Sequence, residues 1–387
     1  MKIKNLLLII AASVVYYNSY SQTRTNKKGS QLQFTLSKEL AATNVKNQQS
    51  SGTCWCFSTN SFLESEIIRM GKGTHDIAEM FTVRNMYLLK GRHYLRYVGK
   101  TQFADGGEPH DVMAAIRDYG MLPQNAYDIR PGYNPDKIST GEMESVLKGM
   151  LDNMLALKDG RLSPAAIPAF EAAVNAYLGV PPAEFVYEGK KYTPKTFVNA
   201  LGINPDDYVE ITSFTHHPFY SKFILEVPDN WMNGYVYNVT LEELKSITDN
   251  AISNGYTIAW ASDVSEKGFN YKSGLAIVPE KNYDDMSKEE KDSLFLKPCI
   301  EKAINQQNRQ EAFDNLSTQD DHGMHITGTA QDQFGKKYYL VKNSWGTDQN
   351  ECGGYFYCSE AYFMYKTTAI MVHKNAISKE ISKKLGL

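Results

Sequence analysis

One stretch of the chain, Val45-Lys46-Asn47-Gln48-Gln49-Ser50-Ser51-Gly52-Thr53-Cys54-Trp55-Cys56-Phe57-Ser58, places a cysteine at the start of a predicted helix. The helix is predicted over Thr53 to Met70, because Thr53 suits a helix cap and glycines follow the other end. The positive end of the helix dipole favours a thiolate at Cys54, and a thiolate is a nucleophile. The alternative interpretation is a buried, inert cysteine.

A thiolate nucleophile requires a base, and the chain offers eight histidines. His322 is favoured because the runs around it and around Asn343 read as the two strands of a hairpin. If these two residues pair, the turn centres on Asp332-Gln333 and the Asn343 carbonyl accepts from one ring nitrogen, leaving the other for the thiol. Alternation along the strand turns His325 to the opposite face, so His325 is predicted to be a packing residue. The Gln48 amide is predicted to stabilise an oxyanion together with the Cys54 backbone N–H.

These residues resemble the papain-like cysteine peptidases. The four that match the family's oxyanion glutamine, nucleophile, base and orienting asparagine are Gln48, Cys54, His322 and Asn343. The resemblance implies an α+β, two-lobed fold, with a helical lobe and an antiparallel β-barrel-like lobe. It also implies that Gly106 and Gly107 bind an extended substrate strand and that Trp345 shields the Asn–His contact. Peptides are the implied substrates.

Two departures resemble the bleomycin hydrolase and aminopeptidase C branch of that family. Ser51 stands where most papain-like enzymes have a disulfide cysteine, and 268 residues separate Cys54 from His322, against about 130–150 in papain-type chains. The segment Thr215-His216-His217-Pro218 fits the branch too. The branch implies a homo-hexamer and an aminopeptidase, in which a C-terminal arm lies in the cleft. The sequence of the tail, 378–387, departs from that arm. A papain-like endopeptidase, a non-catalytic peptide-binding protein and an acyltransferase are the alternatives.

The chain is predicted to consist of one interrupted core. Residues 1–21 read as a signal peptide, in preference to a membrane anchor, so the mature protein is expected to be exported (periplasmic or secreted) without a stable membrane span. The remaining predicted segments are a helical lobe with the nucleophile (22–135), a helical insertion (136–206), a β lobe with the histidine and asparagine (207–373), a surface insertion within it (282–320) and a tail (374–387). Further helices are predicted over 111–119, 142–156, 163–177, 193–201 and 241–254, and strands over 257–264, 324–330, 337–342 and 355–358.

Composition excludes other classes of protein. Lys and Arg number 41 and Asp and Glu 44, a near-balance that argues against nucleic-acid binding. Of the five cysteines, Cys56 is predicted to be a core residue. Together with Cys299, Cys352 and Cys358 it could form disulfides in three ways or none. No metal or cofactor is predicted, partly because His216 and His217 would face opposite ways on a strand.

Overall fold

The computed structural model describes residues 23–131, 137–158 and 160–387. The predicted signal peptide and the predicted boundary at 135/136 lie outside the described residues. No helix within the described ranges is long and apolar enough to cross a membrane.

The described helices and strands make an α+β protein, as predicted. The helices are α1 (Cys54–Arg69), α2 (Glu79–Arg96), α3 (Pro109–Tyr119), α4 (Gly141–Leu155), α5 (Ala166–Leu178), α6 (Pro194–Leu201), α7 (Leu241–Ser253), α8 (Lys288–Ser293), α9 (Gln306–Asp314), α10 (Glu360–Lys366) and α11 (Lys379–Leu385). The strands are β1 (Thr23–Arg24), β2 (Phe34–Glu39), β3 (Phe185–Tyr187), β4 (Lys190–Tyr192), β5 (Tyr208–Thr212), β6 (Lys222–Ile224), β7 (Tyr235–Asn238), β8 (Ile258–Ser262), β9 (Phe269–Asn270), β10 (Leu275–Ala276), β11 (His322–Asp332), β12 (Lys337–Lys342), β13 (Tyr355–Ser359) and β14 (Thr367–His373).

Helix α1 is buried on all sides, which explains why its sequence has apolar residues on more than one face. Thr53 precedes it, as predicted, but its hydroxyl does not cap the helix and lies 2.7 Å from the hydroxyl of Ser51 instead. At the other end Gly71 has φ +70°, the left-handed geometry that ends a helix.

Helix α2 has no counterpart among the predicted elements. Most of its 18 residues are buried, including the charged Arg84 and Lys90, so its apolar residues do not form a single stripe. Without a period of 3.6 residues, the sequence lacks the main signal for an amphipathic helix.

A large sheet carries the other half of the molecule. In the described chain its strand order is β6-β7-β5-β14-β8-β11-β12-β13-β10-β9, with β2 also pairing to β11. Along β8 the side chains alternate, so that Ala259 joins the core around α1 while Ile258 and Trp260 join the core around α7. Helices α1 and α7 therefore lie on opposite faces of the sheet.

The predicted register of the β11–β12 hairpin is wrong. His325 pairs with Lys342 and Thr329 with Tyr339, so the turn lies beyond the predicted Asp332-Gln333 centre. A β-bulge between Ile326 and Gly328 shifts the pairing by one residue, and such a bulge leaves little trace in a sequence.

The two predicted insertions are more closely packed than a surface segment would be. Helix α5 packs against α2. In α9, which was predicted as part of a surface excursion, Arg309 is fully buried. Its guanidinium donates to the carbonyls of Ser213 (2.7 Å), Met364 (2.9 Å) and Thr367 (2.6 Å), which attaches α9 to the β lobe.

The tail forms helix α11, where a Lys- and Ser-rich run had suggested no element. Ile381 and Leu385 are buried in the core that contains α7, and Lys384 lies 2.9 Å from Glu243. The tail therefore lies on the sheet face opposite α1, away from Cys54.

Candidate active site

Cys54 and His322 meet at one small cavity. Cys54 is the first residue of α1 and His322 the first of β11, and both line a small cavity whose wall also includes Gly107. Cys54 is half-buried, while His322 is 5% exposed. Strand β11 packs against α1, which brings together residues 268 positions apart, as predicted.

Burial acts on both the thiol and the imidazole. Burial raises the pKa of the Cys54 thiol to about 12; the Gly323 backbone N–H acts against this rise, while the Asp320 and Asp229 carboxylates add to it. Burial lowers the pKa of His322 to about 4. Burial therefore opposes the thiolate that the helix start is predicted to favour, while the Gly323 backbone N–H supports it.

Asn343 fixes the tautomer of His322. The asparagine Oδ1 lies 2.7 Å from His322 Nε2, which confirms the predicted contact. The same oxygen accepts from the Ser344 backbone N–H at 2.8 Å, and this identifies it as the carbonyl oxygen of the amide. Nε2 must then carry the proton, which leaves Nδ1 as the proton acceptor. Trp345 stacks on the imidazole with 4.6 Å between ring centroids, where it shields this contact as predicted.

Gln48 is held at the start of α1 by two serines. Its Nε2 donates to the Ser51 carbonyl at 2.8 Å, and its Oε1 accepts from the Ser344 hydroxyl at 2.6 Å. The Ser51 hydroxyl donates in turn to the Gln48 carbonyl at 2.8 Å. One Nε2 hydrogen has no acceptor in these contacts, so it is the one that can reach an oxyanion. Ser51, at the position of the absent cysteine, thus orients the predicted oxyanion residue.

The two glycines are packed by this chain's own side chains. A Cβ on Gly106 would overlap the Asp229 carboxylate, and a Cβ on Gly107 would lie 2.6 Å from Asp111 and 3.0 Å from the Trp55 indole. The binding of an extended substrate strand by these glycines stays a prediction, and at Gly106 the Asp229 carboxylate occupies the space beside the Cα atom.

Three carboxylates beside Cys54 were not identified in the sequence. Glu108, Asp229 and Asp320 line the same cavity as the thiol. They come from the turn before α3, the loop between β6 and β7, and the turn before β11. No spacing rule connects such distant positions. The only signal was local: Glu108 follows the glycine pair and Asp320 lies two residues before His322.

His216 and His217 do not face opposite ways, contrary to the prediction. They lie in a bend, and their Nε2 atoms are 3.1 and 2.9 Å from the Glu226 carboxylate. The three ligand atoms lie within 4.8 Å of one another, close enough for one metal ion to contact them all. The geometric reason for excluding a metal there is therefore wrong, although ion pairing with Glu226 accounts for the same contacts.

All five cysteines are free in the structure. Cys56 is fully buried, which confirms the prediction of a core residue, and its thiol donates to the Glu79 carbonyl at 3.4 Å.

Comparison with known proteins agrees with this geometry. The model of the Peptidase C1-like family matches residues 2–88 and 172–386, more than half of the chain. Aminopeptidase G of Lactobacillus delbrueckii subsp. lactis is 25% identical, over 89% of this chain and 84% of that relative. Aminopeptidase C of Listeria monocytogenes is 24% identical, over 97% of this chain and 90% of that relative.

A solved structure shares the fold. The crystal structure of PepW from Lactobacillus rhamnosis superposes with a TM-score of 0.69 at 22% identity, covering 91% of this chain and 84% of that one. This likeness confirms the predicted α+β fold class. With the family model matching on both sides of the cleft, the chain belongs to the Peptidase C1-like family.

Proposed function

We propose that this chain, a cysteine peptidase, hydrolyses peptides from their free N-termini through a thioester on Cys54. The observation that carries the proposal is the fixed tautomer of His322, whose Nδ1 is left as an acceptor at the cavity that also contains the thiol. A thiol beside an oriented neutral imidazole is the arrangement that nucleophilic catalysis requires. The aminopeptidase preference is supported by the names of the relatives.

The first half of the reaction forms the thioester. His322 Nδ1 accepts the thiol proton while the Cys54 sulfur bonds to the scissile carbonyl carbon. The Cys54 backbone N–H and the remaining Gln48 Nε2 hydrogen stabilise the oxyanion. As the intermediate collapses, the carbon–nitrogen bond breaks and His322 gives its Nδ1 proton to the leaving amine.

The second half releases the acyl group. His322 Nδ1 removes a proton from water, the hydroxide oxygen bonds to the thioester carbon, and the carbon–sulfur bond breaks. The sulfur leaves with the proton from His322, which restores the neutral pair. Asn343 acts through His322 as a positioning residue, and it must hold the ring during both proton transfers.

A substrate pair and a variant pair test the proposal. Wild-type protein should hydrolyse an alanyl or leucyl coumarin amide with a free amine at least about 100-fold faster than its N-acetyl counterpart, a ratio equal to about 2.7 kcal/mol. Cys54→Ala should abolish turnover, while Cys299→Ala, which alters a cysteine of another cluster, should retain it. Equal hydrolysis of the free and acetylated substrates would indicate an endopeptidase, and no turnover by the wild type would refute the peptidase assignment.

We also propose export and assembly, on the sequence alone. Cleavage after Ser21 would leave a mature chain that begins at Gln22. The family resemblance supports a homo-hexamer. N-terminal sequencing of the protein from its native host tests the first proposal, and light scattering after size-exclusion chromatography tests the second. An intact Met1 or a monomeric mass would contradict them.

A further inference from the structure

The cavity beside Cys54 is strongly acidic. Its wall includes Glu108, Asp229, Asp320 and Asp321, and no Lys or Arg stands among the described residues that line it. Asp321 is exposed, and its carboxylate already accepts from the backbone N–H groups of Val264 (3.1 Å) and Ser265 (2.9 Å). The other three carboxylates, Glu108, Asp229 and Asp320, are called here the acidic pocket.

Glu108 has a buried oxygen without a donor. The residue is 3% exposed, and its Oε1 has no hydrogen-bond partner in the part of the chain that the structure describes. The side chain faces another carboxyl, that of Asp320, which itself accepts from the Thr368 hydroxyl at 3.0 Å. Two buried carboxyls that face each other repel when both are ionised, so they either share a proton or take a cationic donor from outside the chain.

Asp229 is held in place above the loop that contains Gly106 and Gly107. Its Oδ1 accepts from Gln102 Nε2 at 2.7 Å, and the carboxylate fills the space where a Gly106 side chain would start. Lys90 lies against the same loop and donates to the carbonyls of Ala104 (2.6 Å) and Gly106. This ammonium partly balances the charge of Asp229, but it is bonded to the backbone and does not line the cavity, so it does not fill the acidic pocket. An extended peptide that ran past Cys54 along Gly106 would collide with Asp229.

We propose that the acidic pocket binds the α-ammonium group of the substrate's N-terminal residue, and that Asp229 blocks longer chains from passing beyond it. This inference rests on the proposed aminopeptidase function and names the groups that restrict it. An ammonium offers three N–H donors, and the pocket offers three carboxylates beside the thiol. The space between these side chains is narrow, so it suits the terminal ammonium of a peptide and not a whole side chain.

The tail does not supply this recognition. Helix α11 packs with α7 on the far face of the sheet, so the carboxylates beside Cys54 come from the interior of the chain. Burial, together with neighbouring carboxylates, raises the pKa values of Glu108 and Asp320, so these two carboxyls hold protons that a bound ammonium replaces.

Charge-neutral substitutions test the proposal. Asp229→Asn, Glu108→Gln and Asp320→Asn are each expected to raise KM for an alanyl coumarin amide by about tenfold or more, with kcat changed less than threefold, because each removes a charged partner of the ammonium. Asp292→Asn, an exposed aspartate on α8, is the matched control and should leave KM unchanged. The far-UV circular dichroism spectrum and the urea midpoint of every variant should match those of the wild type, which shows that the protein is folded.

A substitution that shortens the Asp229 side chain tests whether this residue blocks longer substrates. Asp229→Ala is expected to hydrolyse an N-acetyl dipeptidyl coumarin amide at least tenfold faster than wild type, since the space above Gly106 opens. If the three neutral variants leave KM within threefold and Asp229→Ala still rejects acetylated substrates, the inference is wrong, although the aminopeptidase function stands. If the wild type itself does not distinguish free from acetylated substrates, it is the proposed function that fails.

Discussion

At the scale of single residues, Asn343 determines whether His322 can act as a base. Its Oδ1 contacts both His322 Nε2 and the Ser344 N–H, and its buried Nδ2 has no partner among the described residues. Asn343→Ala should lower kcat by about 100-fold, the size of effect expected when a catalytic group is misplaced by about 1 Å. KM should change little, since Asn343 does not line the cavity.

The control for this variant is Asn254→Ala, at the exposed end of α7, and it should retain full activity. Steady-state kinetics on a free-amine coumarin amide give kcat and KM separately. A loss in KM with kcat retained would mean that Asn343 contributes to binding instead of positioning the ring.

The pH dependence of kcat/KM belongs to this scale too. Burial, followed by the Asp229 carboxylate, raises the pKa of Asp320 to about 7. Since only the ionised form binds an ammonium, kcat/KM should fall as the pH drops through about 7, and above about 8 it should fall again as the substrate amine loses its proton. The groups that face Asp320 are Glu108, Asp229, Asp321, Cys54 and the Thr368 hydroxyl.

The same profile measured on Asp320→Asn should lose the acidic limb near pH 7, while Asp292→Asn should keep it. A wild-type limb near pH 4 instead would assign it to His322, whose pKa burial lowers to about 4.

The sequence predicted the active-site residues that lie in recognisable motifs and missed those that lie outside such motifs. Cys54, His322 and Asn343 each stand in a recognisable local context, and the structure brings them to one place. Asp229 stands in a loop with no such context. Its importance comes only from the fold, which lays it over Gly106.

At the scale of elements, the helices whose sequences have one apolar face were predicted well. The predicted α7 and α3 agree with the structure to within two residues at each end. Helix α2 was missed because its buried residues surround it, and the hairpin register was wrong because the turn lies further along the chain and a bulge shifts the pairing by one more residue. At that bulge a Cβ on Gly328 would overlap the Lys38 carbonyl of β2, so a tertiary contact sets the register.

The contact between α2 and α5 depends on a glycine in the middle of α2. A Cβ on Gly91 would overlap the ring of Phe170, whereas a Cβ on Gly149 in α4 would meet nothing within 4 Å. Gly149→Ala should therefore stabilise the protein by about 1 kcal/mol through helix propensity alone. Gly91→Ala should destabilise it by about 1–3 kcal/mol, because overpacking outweighs the same gain.

Urea unfolding followed by circular dichroism measures both changes. If the two substitutions have the same sign, then α5 does not press on α2 as the structure has it.

At the scale of the whole molecule, the sheet separates the cleft from the tail. The sequence predicted two lobes but could not place the tail, because Lys- and Ser-rich segments carry little information about packing. The two buried side chains Ile381 and Leu385 decide its position, and they attach α11 to the α7 face.

This placement predicts that the tail contributes to stability and not to selectivity. Leu385→Ala, at a residue 7% exposed, should cost about 2 kcal/mol, while Leu387→Ala, at one 41% exposed, should cost less than about 0.5 kcal/mol. Deletion of residues 379–387 should leave the ratio of free-amine to acetylated hydrolysis within twofold. A large fall in that ratio would mean that the tail, and not the acidic pocket, recognises the N-terminus of the substrate.

The position of α11 also makes the last residues a suitable point for attaching the protein to a surface. Because Leu387 is exposed on the side of the sheet that faces away from Cys54, a linker fused there would anchor the protein to a bead or sensor surface with its cleft directed into solution. Immobilised in that orientation, the protein would meet peptides in solution as freely as it does when unattached.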